Sequence, residues 1–255
     1  MRVLHLAPNF PWPPDTGGKI CIANHLRADA RFAEVVLLSF VEEDPVEEAM
    51  AAARAVCREV VTVRRPRALD GALGGLRSLV SDTAMNLAKY RWPVFSRSLW
   101  QTVSGFFPDV VVAHNFHMAA YLLELAGPAR LLREQNVDSD LMERYAATCG
   151  NPALALFARL QARRIRAEEA RVAPRVERCL AITPADEARL REIAPAARTA
   201  VVPGVVATEE YRAARPPRPG DDPLVVATGT FSFPPTGDGL VHFVEQVWPR
   251  VLTAA

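Results

Sequence analysis

Short runs in which nearly every residue is apolar alternate along this chain with longer stretches whose apolar positions recur at helical spacing. The runs "RVLHLAP", "EVVLLSFV", "EVVTVRR", "DVVVAHN", "ARLLREQ", "RCLAIT" and "TAVVPG" have strand length and are rich in β-branched residues and leucine. Being apolar on both faces, they read as buried parallel strands. Between them, "GGKICIANHLRADAR", "PVEEAMAAARAVC", "VFSRSLWQTVSGF" and "HMAAYLLELAG" read as helices long enough to cross back over a sheet. Strand, helix, strand repeated in this way predicts a doubly wound α/β domain. The longest helical stretch, "NPALALFARLQARRIRAEEARVAPRVE", is apolar early and arginine-rich later. Thr183, Pro184 and Asp186 then spell a helix start: an N-cap hydroxyl, a proline at the first position, and a carboxylate where it favours the helix dipole.

The pattern changes near residue 203. "ATEEYRAARPPRPGDDP" has no periodic apolar face and reads as a linker or exposed loop. A new strand, "PLVVATG", a turn, "TFSFPPTGD", and a helix, "GLVHFVEQVWPRVL", follow. One strand and one helix cannot bury their own apolar faces, so they read as the first βα unit of a second, incomplete domain. The expected organisation is a first domain over 1–202, a linker over 203–222, and the start of a second domain over 223–255, whose Val225, Phe243, Val247 and Trp248 would be left exposed.

Composition narrows the class. With 255 residues, 50% of them hydrophobic, and a formal net charge of +1, the chain can bury a core and is not built to coat nucleic acid. Cys21, Cys57, Cys149 and Cys179 are far apart and form no CxxC or Cys/His cluster, which reads as reduced thiols rather than disulfides or zinc. "MRVLHLAPNF" is too short and too soon broken by proline for a signal peptide, and no run approaches the length of a membrane span. The expected location is the cytoplasm. The arginines between 159 and 178 read as a solvated helix face partly compensated by Glu168 and Glu169; the other reading is peripheral contact with the inner face of the membrane.

In open α/β sheets the ligand crevice lies at the carboxyl ends of the strands. The loop after the first strand, "NFPWPPDTGGKI", lacks both G-x-G-x-x-G and G-x-x-x-x-G-K-[ST], so it carries neither nucleotide fingerprint. What remains is a helix N-terminus with small residues, Gly17 and Gly18, whose free N–H groups can approach an anion, and Lys19 beside them. The same glycines could serve only a tight turn, and both readings stay open. "HNFHMAA" puts His114 and His117 where a strand ends and a helix begins. No carboxylate or cysteine completes a metal pattern there; a histidine at a strand end often serves only the structure, while two polar rings at a crevice-facing loop raise the chance that one of them touches substrate, and both readings stay open. In "REQNVDSD", Glu134, Gln135, Asn136 and Asp138 line the next loop, with helix capping as the plain alternative.

Taken together these segments resemble the GT-B glycosyltransferases of the retaining family 4 type. "RVLHLAPNFPWPPDTGGKI" is similar to the first strand and glycine loop of their N-terminal domain, and "FPDVVVAHNFHMAAYL" to their "pDvvhaHdwHta" segment, with His117 at the position of the active-site histidine. "REQNVDSDLMERYA" resembles the next loop, and "AITPADEARL" the segment reading "vS/T-x-x-D/E". "LVVATGTFSFPPTGDGLVHFVEQVWPRV" resembles the entry into the nucleotide-binding domain, above all in a bacterial subgroup linked to exopolysaccharide synthesis. The resemblance implies a Rossmann-like N-terminal domain and metal-independent transfer of a sugar, with retention, from a nucleoside diphosphate sugar to a glycan, lipid-linked or small-molecule acceptor. It makes His117 the catalytic residue, and gives Gly17, Gly18, Lys19, His114 and Asn136 to donor phosphate and substrate.

The chain departs from the family's pattern at three places, one of them the "PN" of the second domain's first loop, which here is Pro234-Pro235 or Pro235-Thr236. "PGVV", residues 203–206, stands where members carry "NGVD", and the basic pair and E-x7-E motif of the C-terminal domain have no counterpart. An alternative is therefore a non-catalytic remnant, or a subunit that binds acceptor and partners a complementary chain supplying the other domain. A nucleotide-cofactor oxidoreductase is disfavoured by the absent G-x-G-x-x-G.

Overall fold

A computed structural model describes residues 1–66, 78, 82–208, 225–229, 231 and 234–254. It divides into two compact units, Met1–Val206 and Ala207–Ala255. The first unit is a seven-stranded, wholly parallel sheet: β1 (Arg2–Ala7), β2 (Glu34–Val41), β3 (Glu59–Arg64), β4 (Val110–His114), β5 (Ala129–Arg133), β6 (Arg178–Ala181) and β7 (Thr199–Val201), in the spatial order β3-β2-β1-β4-β5-β6-β7. Each of the seven apolar runs has become a strand. The connecting helices are α1 (Gly17–Asp29), α2 (Glu47–Arg54), α3 (Met85–Ala88), α4 (Pro93–Phe106), α5 (Ala119–Leu122), α6 (Asp138–Thr148), α7 (Pro152–Val172) and α8 (Pro184–Ile193).

Strand periodicity sorts the side chains into two layers. Leu4 and Leu6 of β1, Val36, Leu38 and Phe40 of β2, Val111 and Ala113 of β4 and Leu132 of β5 share one face, packed with Phe95 and Leu99 of α4, Tyr121 and Leu122 of α5, and Ile165 of α7. The other face sets Val35, Leu37 and Val41 against Ile22, Ala23 and Leu26 of α1 and Ala49 and Ala53 of α2. Burial on both faces is what near-continuous apolar strands require.

Helix starts follow their local chemistry. The Asn151 side chain accepts from the N–H groups of Ala153 and Leu154 at 3.0 and 3.2 Å, with Pro152 at the first position of α7. Thr183 Oγ1 accepts from the Asp186 N–H at 3.1 Å, as the sequence leads one to expect. One helix expectation fails: "HMAAYLLELAG" forms only a 3-10 turn, Phe116–Met118, and the single turn of α5. Phe116, Met118, Ala119, Tyr121, Leu122 and Leu125 are all buried, so the segment is plugged into the core and has no polar side on which a longer surface helix could ride. The Tyr121 hydroxyl anchors it by donating to the Tyr90 carbonyl and accepting from the Trp92 N–H at 3.0 Å.

In the second unit α9 (Pro234–His242), a π turn (Phe243–Val247) and α10 (Trp248–Ala254) follow one another. The expected helix is present and starts earlier. The π turn precedes Pro249, which has no N–H to give an ordinary helical bond. Val225–Thr228 form no strand among the described residues, since an isolated strand has no ladder to join. Val225, Val241, Val244 and Val247 are exposed, while Phe243 and Trp248 partly cover each other, ring centroids 6.1 Å apart. Most of the expected linker, residues 209–222, lies outside the described residues. Among the described residues no helix is long and apolar enough to cross a membrane.

Candidate functional site

The sheet order fixes where a ligand crevice can form. From β1 the chain steps outward to β2 and β3, then returns to place β4 on the other side of β1. The connections leaving β1 and β4 therefore diverge, and a crevice opens at their carboxyl ends. The two loops bordering it are those that carry Gly17-Gly18 and His114–His117.

Gly17 and Gly18 are the first two residues of α1, after Thr16, whose side chain makes no capping bond. The first N–H groups of α1 thus lack a side-chain partner, and Gly17 is exposed with nothing within 4 Å of where a Cβ would stand. Neither glycine has a positive φ, so the turn does not demand glycine. Their smallness clears the helix end instead. At Gly18 a Cβ would lie 3.3 Å from Gln135 Oε1, and the Gln135 amide donates to the Gly18 carbonyl at 3.3 Å, tying the β5 loop to the start of α1. Lys19 pairs with Asp15, Nζ to Oδ1 2.9 Å, and turns towards a separate cleft of 520 Å³ lined by Phe10, Trp12, Phe40, Glu42 and Val46.

The two histidines of "HNFH" part company. His117, in the 3-10 turn, keeps 21% of its side chain exposed; its ring lies 5.0 Å from the Tyr90 ring and Nε2 is 3.6 Å from Asp138 Oδ2. That separation is too long for a hydrogen bond, and Asp138 Oδ2 has no other partner among the described residues. Burial, with Lys89 nearby, lowers the His117 pKa to about 4, and burial raises that of Asp138 to about 6. At neutral pH the imidazole is uncharged beside a carboxylate that is only just ionised.

His114 does not face the crevice; it is fully buried. It ends β4 on the face that α1 covers, as His5 does two registers earlier on β1 and Arg133 does opposite it on β5. The two imidazoles stack with centroids 5.2 Å apart, and His5 Nδ1 lies 2.9 Å from His114 Nε2. His5 Nε2 is 3.2 Å from Asp29 Oδ2 at an angle that makes no hydrogen bond. His25 of α1 closes over the pair, its ring 6.4 Å from His114. Burial, then neighbouring positive charge, depresses His114 well below the usual histidine range and His25 to about 4, so both are neutral. Arg133 donates to the Val202 and Pro203 carbonyls at 3.2 and 3.3 Å, and Asn24 to the Val205 carbonyl at 2.9 Å. These bonds pin the "PGVV" segment to the crevice floor.

On the other side of β5, Glu134 is 2% exposed with neither carboxylate oxygen hydrogen-bonded. Burial and the adjacent Glu169, Asp138 and Asp186 push its pKa well above the carboxylate range, so it is held protonated. Glu169 accepts from the N–H and hydroxyl of Ser139. It is therefore a buried anchor for the start of α6, contrary to the expected surface compensation of arginines; Glu168 alone does that, pairing with Arg91 and Arg171. Asn136 is exposed and its side chain makes no hydrogen bond among the described residues; the residue before α6 is Val137, so Asn136 is not its cap. All four cysteines are free thiols. Among the described residues no three His, Cys, Asp or Glu are grouped to hold a metal.

The crevice thus gathers Gly17, Gly18, Asn136 and His117 at its mouth, leaves His114 beneath it and Lys19 to one side. Tyr90, whose ring packs against His117, is the neighbour the sequence did not single out, and Asp138, read there only as lining the loop, lies beside the imidazole.

No protein-family profile matches the sequence, and no curated protein matches it. Solved structures do. Sucrose-phosphate synthase from Thermosynechococcus elongatus superposes with a TM-score of 0.53 at 13% identity, over 80% of this chain and 48% of that one. The chain has its Rossmann-like fold. Weaker likenesses are UGT2 from Phytolacca americana, complexed with UDP-2-fluoro-glucose and pterostilbene (TM-score 0.47, 12% identity, 82% of this chain and 56% of that one), and a UDP-glucosyltransferase from Polygonum tinctorium (0.47, 11%, 85% and 54%). These neighbours are GT-B glycosyltransferases, and the chain spans about half the length of each.

Proposed function

We propose that this chain contributes the acceptor-side half of a glycosyltransferase cleft, in which a sugar passes with retention from a nucleoside diphosphate sugar to a glycan, lipid-linked or small-molecule acceptor. The observation that carries the reading is the convergence, at the switch between β1 and β4, of an uncovered helix N-terminus and a neutral, largely buried histidine that keeps an exposed edge. N–H dipoles fixed at Gly17 and Gly18 are suited to the charge that develops on a departing diphosphate, and fixed dipoles need no reorganisation as that charge grows. A neutral His117 can donate or accept a hydrogen bond at a sugar hydroxyl, and its packing against Tyr90 holds the ring in one place. Asn136, exposed in the loop after β5, is assigned to the acceptor. No metal is needed in this scheme.

The neighbours' sugar chemistry, and a fold shared over 80% of this chain with sucrose-phosphate synthase, support the reading. The test is transfer from a panel of nucleoside diphosphate sugars by protein supplied with a nucleotide-binding unit, in cis or in trans. His117→Ala should lower turnover at least a hundredfold with an unchanged far-UV spectrum, and the chain alone should turn donors over slowly. Unimpaired transfer by His117→Ala would remove the histidine from its role.

A further inference from the structure

After β7 ends at Val201, the chain leaves the sheet with little of its own backbone to hold it. The Val202 N–H still donates to the Ala181 carbonyl at 2.8 Å, but among the described residues no backbone hydrogen bond is made by residues 203–206. Pro203 has no N–H to give, and Pro203, Gly204 and Val206 are exposed. A surface stretch of this kind ordinarily moves freely.

Two side chains from different elements hold it instead. Arg133, at the end of β5, donates to the Val202 and Pro203 carbonyls at 3.2 and 3.3 Å, and Asn24 of α1 donates to the Val205 carbonyl at 2.9 Å. Both are buried, 3% and 6% exposed. Arg133 stands opposite His114 in the β4–β5 ladder, and burial lowers its pKa. Asp29 lies near enough to favour its charge, yet among the described residues no carboxylate is in ion-pair contact with it. A buried guanidinium without a paired carboxylate is costly, and an apolar side chain of similar size would serve the core better. What an apolar side chain could not do is hold two carbonyls of the departing chain. Asn24 is fixed in turn: its Oδ1 accepts from Arg27 Nη1 at 3.2 Å, which leaves the amide nitrogen to donate to Val205.

We propose that Asn24 and Arg133 are positioning residues that clamp residues 202–205 to the first unit, so that the pivot for the second unit lies beyond Val205 and not at the end of β7. Helix α1 then has two tasks. Gly17 and Gly18 offer its N-terminus to the crevice, and Asn24, two turns later on the same side and roughly 10 Å further along, holds the linker. Fewer free residues between two units leave fewer orientations to be lost when they close on a ligand. The effect on turnover rests on the transferase reading; the clamp itself does not.

The test is backbone ¹⁵N relaxation on the full chain. In the wild type the amides of Gly204, Val205 and Val206 should have order parameters of about 0.85, as rigid backbone does. Asn24→Asp keeps the shape and the acceptor for Arg27 but has no amide hydrogen to give, and Arg133→Met fills similar space without a donor. Each variant should bring those amides below about 0.6 while the strands stay rigid, with folding checked by thermal melt. Ser139→Ala, which removes a buried hydrogen bond to Glu169, should leave residues 204–206 rigid. Joined to a nucleotide-binding unit, both clamp variants should lower kcat about fivefold with the donor KM within about twofold, because neither side chain touches the donor. Mobile amides at 204–206 in the wild type, order parameters that stay high in both variants, or a loosened linker with kcat unchanged would overturn the proposal. Absence of transfer by every protein, wild type included, would instead refute the transferase reading and leave the relaxation result to decide the clamp.

Discussion

Replacing His117 with glutamine should flatten the acid limb of the stability curve by an amount that the site's geometry fixes. The imidazole has a pKa of about 4 in the folded chain because burial and the nearby Lys89 disfavour its charged form, against 6.5 for an unperturbed histidine. A depressed folded pKa gives stability that is complete above pH 6.5 and is lost as pH falls towards 4, because the unfolded chain takes up the proton first. At pH 5 that difference amounts to about 2 kcal/mol, rising to about 3 kcal/mol below pH 4. Asp138, raised to about 6, works in the opposite sense, but it is present in both proteins and largely cancels from the comparison. Urea unfolding of wild type and His117→Gln at pH 7.5 and pH 5.0 gives the four free energies needed. The wild type should lose about 2 kcal/mol more than the variant between the two pH values. Equal losses would mean that His117 is solvated and titrates normally, and the picture of a neutral, packed imidazole would fall.

Glu134→Gln should stabilise the protein, and more at pH 8 than at pH 5. The raised folded pKa of Glu134 means that its ionisation costs stability as pH climbs past the unfolded value, and an amide removes that cost; a lower melting temperature for the variant at pH 8 would show that the carboxylate is paired. Gly17→Ala should stabilise the fold by about 0.5 kcal/mol, since its φ is ordinary and the space is open, yet weaken nucleoside diphosphate binding by crowding the helix end. Calorimetric titration and urea midpoints on the same variant separate the two effects, and unchanged donor affinity would assign Gly17 to the turn alone.

The strands were legible because each depends on a local signal, the apolar run, repeated seven times with helical intervals between; the switch between β1 and β4 depends on the strand order, which no local run carries. The neighbourhood of His114 was not. From the sequence it shares a tetrapeptide with His117, but strand alternation turns it under α1, and its contacts with His5 and Arg133 exist only once β1, β4 and β5 are adjacent. Lys19 next to two glycines suggested a phosphate ligand, whereas four residues upstream Asp15 claims it. Glu169 looked like a surface counter-charge from its place among arginines; the helical rotation of about 100° that separates it from Glu168 carries it to the buried side, where Ser139 meets it. The segment 117–127 has helical spacing, yet it is apolar on too many sides to stay on the surface. Apart from the Lys19–Asp15 pair, which is local, these differences lie in tertiary contact, which periodicity does not encode.

The central claim, that the β1–β4 crevice receives a nucleoside diphosphate sugar, is tested most directly by following backbone amide signals of ¹⁵N-labelled protein during titration with such donors. Saturable shifts centred on Gly17, Gly18 and the Asn115–His117 turn, and lost in Gly17→Ala, are the predicted result. Unmoved signals there, or shifts confined to a different cleft of 290 Å³ that Arg91, Arg163 and Arg171 line, would contradict it.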